Sequence, residues 1–179
     1  MKIEIEIPDG KKAEWVNVVL TLVDEKPRDV TERIKTFEDA RKELGEDHQF
    51  VQEWKIIRKM FAPDLEAYMR LRIIVAALNE GWEPKFVPGE YRWSPYFVLY
   101  SKDEIEKMNA EKKARLVYRS FSSVNSFAGV SYAYAIVDSS PTYAYIGSRL
   151  AFKSEKLATY AGRQFAEIYA DFCFKPKDE

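Results

Sequence analysis

The stretch PDLEAYMRLRIIVAALNEG, residues 63–81, decides the fold class. Proline suits a first helical position, because its missing N–H would be unpaired there in any case. Leu65, Tyr68, Met69, Leu71, Arg72, Val75, Ala76 and Leu78 follow within one helical run, and Asn79-Glu80-Gly81 supplies a stop. A helix apolar almost all round is predicted to be the most buried element. Its Arg70 and Arg72 are expected to be solvated or ion-paired.

Helical signals also precede this stretch. Thr36 with Asp39 has the pattern of a capping box, and Gly45 suits the position after the last turn. A second helix starts near Asp47, with Phe50, Val51, Trp54, Ile57 and Phe61 on one stripe. Before both, Ile3, Ile5 and Ile7 alternate with Glu4 and Glu6 as in a half-buried strand, and Pro8-Asp9-Gly10 reads as a turn. The apolar, β-branched run 14–23 fits a buried strand or a short helix, which periodicity does not separate; strand is the preferred reading, followed by a connection at Lys26-Pro27.

After residue 81 the chain turns aromatic. Tyr91, Trp93, Tyr96, Phe97 and Tyr100 predict a strand or paired strands, and Ser101 with Glu104 caps a charged helix over 102–114. Near the end, Ser154 precedes a stripe of Leu157, Tyr160, Ala161, Phe165, Ile168, Tyr169 and Phe172, a helix packed on the core.

The stretch between them differs in kind. From Ser120 to Ser148 there is one charged residue, Asp138, where the chain-wide 32% would give roughly nine. Lys, Arg, Glu, Gln, Met and Trp are absent from it. Alternation in Tyr132-Ala133-Tyr134-Ala135 and in Tyr143-Ala144-Tyr145 predicts two strands joined through Asp138-Ser139-Ser140-Pro141, the second continuing to Phe152.

The expected organisation is a single domain over 1–179. Its regions are an N-terminal strand region (1–35), a helical region (36–81) and an aromatic strand plus short charged helix (82–119). A hairpin (120–152) and a C-terminal helix (153–175) complete it. The expected fold class is α+β, an antiparallel sheet with packed helices. Hydrophobic residues at 46% exclude disorder. With 28 Lys+Arg against 29 Asp+Glu, no basic excess invites nucleic acid. One Cys and one His leave no disulfide framework and no Cys- or His-rich metal site, so neither cofactor nor metal is expected. His48 reads as a helix cap and Cys173 as a small buried hydrophobe. An enzyme is the least expected class. The N-terminus lacks the form of a signal peptide and no run approaches a membrane span, so a cytoplasmic location is expected, with virion association open.

Ala128-Gly129, followed by Ala144-Tyr145-Ile146-Gly147-Ser148-Arg149-Leu150, resembles the variable segment of proteins diversified by retroelements. In that family, template Asn codons are mutated at adenine, giving codons that end in a pyrimidine and never encode Lys, Glu, Gln, Met or Trp. The tract obeys that restriction. It departs from the usual pattern in having Arg119-Ser120 where such segments carry Gly-Gly, and in the tail that follows it. Ala76-Ala77-Leu78-Asn79-Glu80-Gly81-Trp82, Ser94-Pro95-Tyr96-Phe97 and the run from Gly147 to Phe165 also resemble uncharacterised proteins of Bacteroides phages and prophages.

These resemblances imply a non-enzymatic phage binding protein that displays a hypervariable tract, with a C-type-lectin-like fold in the C-terminal part of the chain. The helical section from Thr36 to Leu78 fits that lectin fold poorly. The implied ligand-binding positions are Phe121, Val124, Phe127, Tyr134, Ile136, Val137, Tyr143 and Tyr145, and the expected partner is an unidentified protein or surface ligand. The alternative is a phage counter-defence protein sequestering a nucleotide-like immune signal. Arg149 and Lys153, or Arg72, would then meet its phosphates. An inert buried hairpin also remains open.

Overall fold

The computed structural model describes residues 6–24, 29–118, 127–140 and 148–173. Strand β1 (Lys11–Val16) pairs antiparallel with β2 (Val19–Asp24), so the run 14–23 is broken in two by a turn at Asn17-Val18. Both turn residues have positive φ, +48° and +69°, the pattern whose twist matches the flanking strands. The register puts Ala13, Trp15, Leu20 and Leu22 on one face, yet Trp15 is 73% exposed. Ile3 and Ile5 lie outside the described residues, and Ile7 is exposed and not in a strand.

Four helices follow, three of them where caps and stripes predict them and the first inside the region expected to be strand. α1 (Val30–Arg33) is capped by Asp29, whose carboxylate accepts from Thr31 N–H at 2.9 Å. α2 (Phe37–Leu44) has the full Thr36–Asp39 capping box and ends at Gly45, φ +90°, a conformation glycine adopts without steric cost. α3 (Gln49–Ile57) is capped by His48, whose Nδ1 accepts from Phe50 N–H at 3.1 Å. It stops before Phe61, which sits exposed with φ +52° instead of continuing the stripe. α4 (Pro63–Asn79) opens on its proline and stops at Glu80, which is left-handed.

The main sheet holds β3 (Arg92–Ser101), β4 (Val117–Tyr118) and β5 (Phe127–Asp138), in the order β3-β5-β4 and antiparallel throughout among the described residues. Between β3 and β4 the expected single charged helix is two short ones, α5 (Lys102–Glu106) and α6 (Ala110–Lys113). Asn109 starts the second by accepting from Lys112 N–H at 2.9 Å, so the break is a new cap inside the charged run. The expected strand through Leu150 to Phe152 is also corrected. Ser148–Leu150 is a 3₁₀ turn, and Phe152 makes one bridge to Trp93 on β3. Burying Leu150 and Phe152 in the core holds this segment at the β3 edge, away from β5.

The C-terminal helix is interrupted at Phe165, giving α7 (Glu155–Gln164) and α8 (Ala166–Cys173). Cys173 is exposed at its end, contrary to the buried role expected. α4 packs against α2 and α3 and against α7 and α8, while α7 covers β3 and β5. Leu71, Val75, Leu78, Phe165 and Ile168 are all buried, each worth about 1.5–3 kcal/mol of removed apolar surface. The architecture is α+β, with α7 as the layer joining helices to sheet. Among the described residues, no helix is long and apolar enough to cross a membrane.

Candidate functional site

The β3/β5 register fixes which tract residues share a face. Trp93 opposes Val137, Pro95 opposes Ala135 and Phe97 opposes Tyr132. Trp93, Phe97 and Ala135 pack against the helical core, so this is the inner face. Arg92, Ser94 and Tyr96 oppose Asp138, Ile136 and Tyr134 on the other. A bulge between Tyr96 and Phe97 shifts the register. It leaves Ala133 unpaired and sends Tyr132 inward, where its hydroxyl lies 2.9 Å from Thr159 Oγ1. Tyr134 goes outward and stacks on Tyr96, with ring centroids 4.9 Å apart and planes at 21°.

The structure therefore brings Tyr134 and Ile136 together on the outer face and puts Val137 on the inner face near its end. Tyr134 is 53% exposed, Val137 49% exposed and Ile136 half-buried. Phe127 opens β5 opposite Ser101. Phe121, Val124, Tyr143 and Tyr145 lie outside the described residues. The positions shared with the resembling segments contrast with these: Gly129 and Leu150 are buried. A side chain at Gly129 would meet Ile105 Cδ1 at 3.0 Å.

The two expected anion contacts part company. Lys153 Nζ donates to the Asn79 carbonyl at 3.1 Å and to Glu80 Oε2 at 3.0 Å. Its ion pair is thus with Glu80, across 73 residues of sequence. The Arg33 hydrogen bond, followed by that of Lys153, holds the Glu80 carboxyl below the ordinary range. Arg149 is exposed, with no ion pair or hydrogen bond among the described residues. It lines a cleft of about 430 Å³ together with His48, Phe50, Arg72, Trp82 and Glu83. A second cleft of about 690 Å³ runs beside Tyr132, Arg115 and Arg163.

Sequence reading missed Tyr96, because its pairing with Tyr134 depends on register. It also missed that His48, Phe50, Trp82 and Arg149 line one cleft. They come from three separate segments, and no spacing announces them. No family model, no curated protein and no solved structure matches the chain.

Proposed function

We propose that this is a non-enzymatic binding protein of phage or prophage origin that displays a diversified, tyrosine-rich surface. One observation carries the reading: within a nearly uncharged tract, Tyr134 and Val137 are exposed, while Gly129 in the tract and Leu150 just beyond it are buried. Positions free to vary would be those that scaffold packing does not constrain, and constant positions those that it does. The Tyr96–Tyr134 stack suits display, since tyrosine gives contact area at low entropic cost and a hydroxyl for hydrogen bonding. That the C-terminal part is C-type-lectin-like rests on the resemblance alone.

Sequencing the locus across isolates tests this. The reading expects a reverse transcriptase and a near-copy template beside the gene. It also expects substitutions gathered at codons such as those of Tyr134, Ile136 and Val137, with Gly129 and Leu150 constant. Variation spread evenly along the chain, with no template nearby, would overturn it. In the purified protein, changing Tyr134, Ile136 and Val137 together to Ser, Thr and Asn should leave the unfolding midpoint nearly unchanged.

A further inference from the structure

The cleft that contains Arg149 lies away from the Tyr96–Tyr134 stack, and its lining is unevenly used. Of its two arginines, Arg72 is committed: it pairs with Glu53 at 3.1 Å and lies 3.9 Å over the Phe50 ring. Of its three ring residues, Phe50 is covered by Arg72 and met edge-on by His48 at 5.0 Å. Arg149 and Trp82 remain, one cation and one indole without a charged or ring partner among the described residues. Asn79 bonds the Trp82 backbone and the segment that follows Arg149. Trp82 N–H donates to the Asn79 carbonyl at 3.0 Å. The Asn79 side chain bonds Ala151 and Lys153, just beyond Arg149, at 2.8 and 3.1 Å. His48 adds a donor: because Nδ1 accepts from Phe50 N–H, the neutral ring carries its proton on Nε2.

We infer that this cleft binds a small organic anion carrying a planar ring, such as a nucleoside monophosphate or an aromatic carboxylate. The ring stacks on Trp82 and the anion meets Arg149, whose planar guanidinium suits phosphate and carboxylate alike. The volume of about 430 Å³ falls in the range of small-molecule sites. The exposed Glu83 carboxylate is the opposing charge in the lining and favours a ring that offers an N–H donor. This site is separate from the proposed display surface, so either can fail without the other.

Titration calorimetry on the full chain tests the inference with AMP, indole-3-carboxylate, adenosine and inorganic phosphate as probes. At least one of the two ring-bearing anions should bind at least about tenfold tighter than adenosine or phosphate, a single charge-assisted contact being worth about that factor. The tighter of AMP and indole-3-carboxylate names the source of the anion. Arg149→Ala and Trp82→Ala should each weaken it by about tenfold or more, while Arg115→Ala, outside the cleft, leaves it unchanged. Because Trp82 is half-buried, Trp82→Phe serves as the folding-safe variant and should retain part of the affinity. The inference fails if neither ring-bearing anion binds. It fails equally if phosphate alone binds as tightly, or if binding survives both Arg149→Ala and Trp82→Ala.

Discussion

Arg92 and Asp138 oppose each other in the β3/β5 register, and the Arg92 guanidinium pairs with the Asp138 carboxylate at 3.4 Å. Arg92 is only 3% exposed. It also meets Glu90 at 3.4 Å, donates to the Ser140 carbonyl and lies 4.2 Å over the Phe86 ring. The one charge in the tract 120–148 is thus the counter-ion of a buried arginine and pins the end of β5. Asp138→Asn should cost about 1–3 kcal/mol, because Glu90 still offsets part of the buried charge. Arg92→Ala should cost about 3–5 kcal/mol by stranding both carboxylates. Urea unfolding checks both, and equal effects would show that the pair acts through packing alone.

Asn79 clips the end of α4 to the segment before α7. Its Nδ2 donates to the Ala151 carbonyl at 2.8 Å and its Oδ1 accepts from Lys153 N–H at 3.1 Å, with the residue 3% exposed. Asn79→Ala leaves a buried carbonyl and a partly buried N–H without partners, at about 2–3 kcal/mol in urea unfolding. Asn79→Asp keeps the acceptor but faces the Ala151 carbonyl with a carboxylate, so it should be no milder. A loss under about 0.5 kcal/mol for either would mean that water replaces the clip.

The helices were legible because their signals are local. The Thr36–Asp39 box, Gly45, Pro63 and Ser154 all act over a few residues and sit where the pattern put them. The sheet was legible only in part. Tyr132-Ala133-Tyr134-Ala135 promises both tyrosines on one face by simple alternation, but the bulge at Ala133 turns one inward and the other outward. Nothing in the four residues encodes that bulge. β5 lies between β3 and β4 and under α7, neighbours set by the tertiary fold. The hairpin of β1 and β2 was read as one strand because its turn carries Val18, a residue that avoids positive φ. The cleft around Arg149 was invisible for a related reason, since its walls come from separate segments joined through Asn79.

Gly162 permits the close approach of α7 to the sheet. A Cβ there would clash with Tyr132 Cδ2 and lie 2.7 Å from Pro95 Cβ. The tyrosine ring could turn, but Pro95 is fixed in β3. Gly162→Ala should therefore destabilise, despite alanine's better helix propensity, by about 1–3 kcal/mol from overpacking. A neutral or stabilising result in thermal unfolding would show that α7 can move off the sheet at little cost.

Acid should weaken the fold through carboxylates held low in the native state. Arg33 and then Lys153 lower Glu80, the Thr36 hydroxyl lowers Asp39, and Lys85 N–H lowers Glu90. A group with a folded pKa below its unfolded value stabilises above the unfolded value, and loses that contribution as pH falls through the folded one. The urea midpoint should thus stay level down to about pH 5 and decline below the ordinary glutamate value of 4.5. Glu80→Gln should make the decline shallower, and added salt should shrink the difference, because these pairs are partly solvated. A midpoint that rises on acidification would contradict the sign.

The β1–β2 hairpin should behave as an appendage to the main core. Trp15, Val18 and Val19 are exposed, and two-stranded hairpins are marginal when little covers them. Trp15→Ser should shift global stability by no more than about 0.5 kcal/mol, whereas Leu71→Ala, inside α4, should cost about 2–5 kcal/mol. Val18 also holds a left-handed conformation, φ +69°, that costs a β-branched residue about 1–2 kcal/mol. Val18→Gly should therefore raise amide hydrogen-exchange protection within 11–24 while leaving the slowest-exchanging amides of α4 unchanged. If Val18→Gly instead shifted the exchange of α4, the hairpin and the core would be one cooperative unit. The exposed apolar face of Trp15, Leu20 and Leu22 would then have to be coupled to the core by contacts beyond its own two strands.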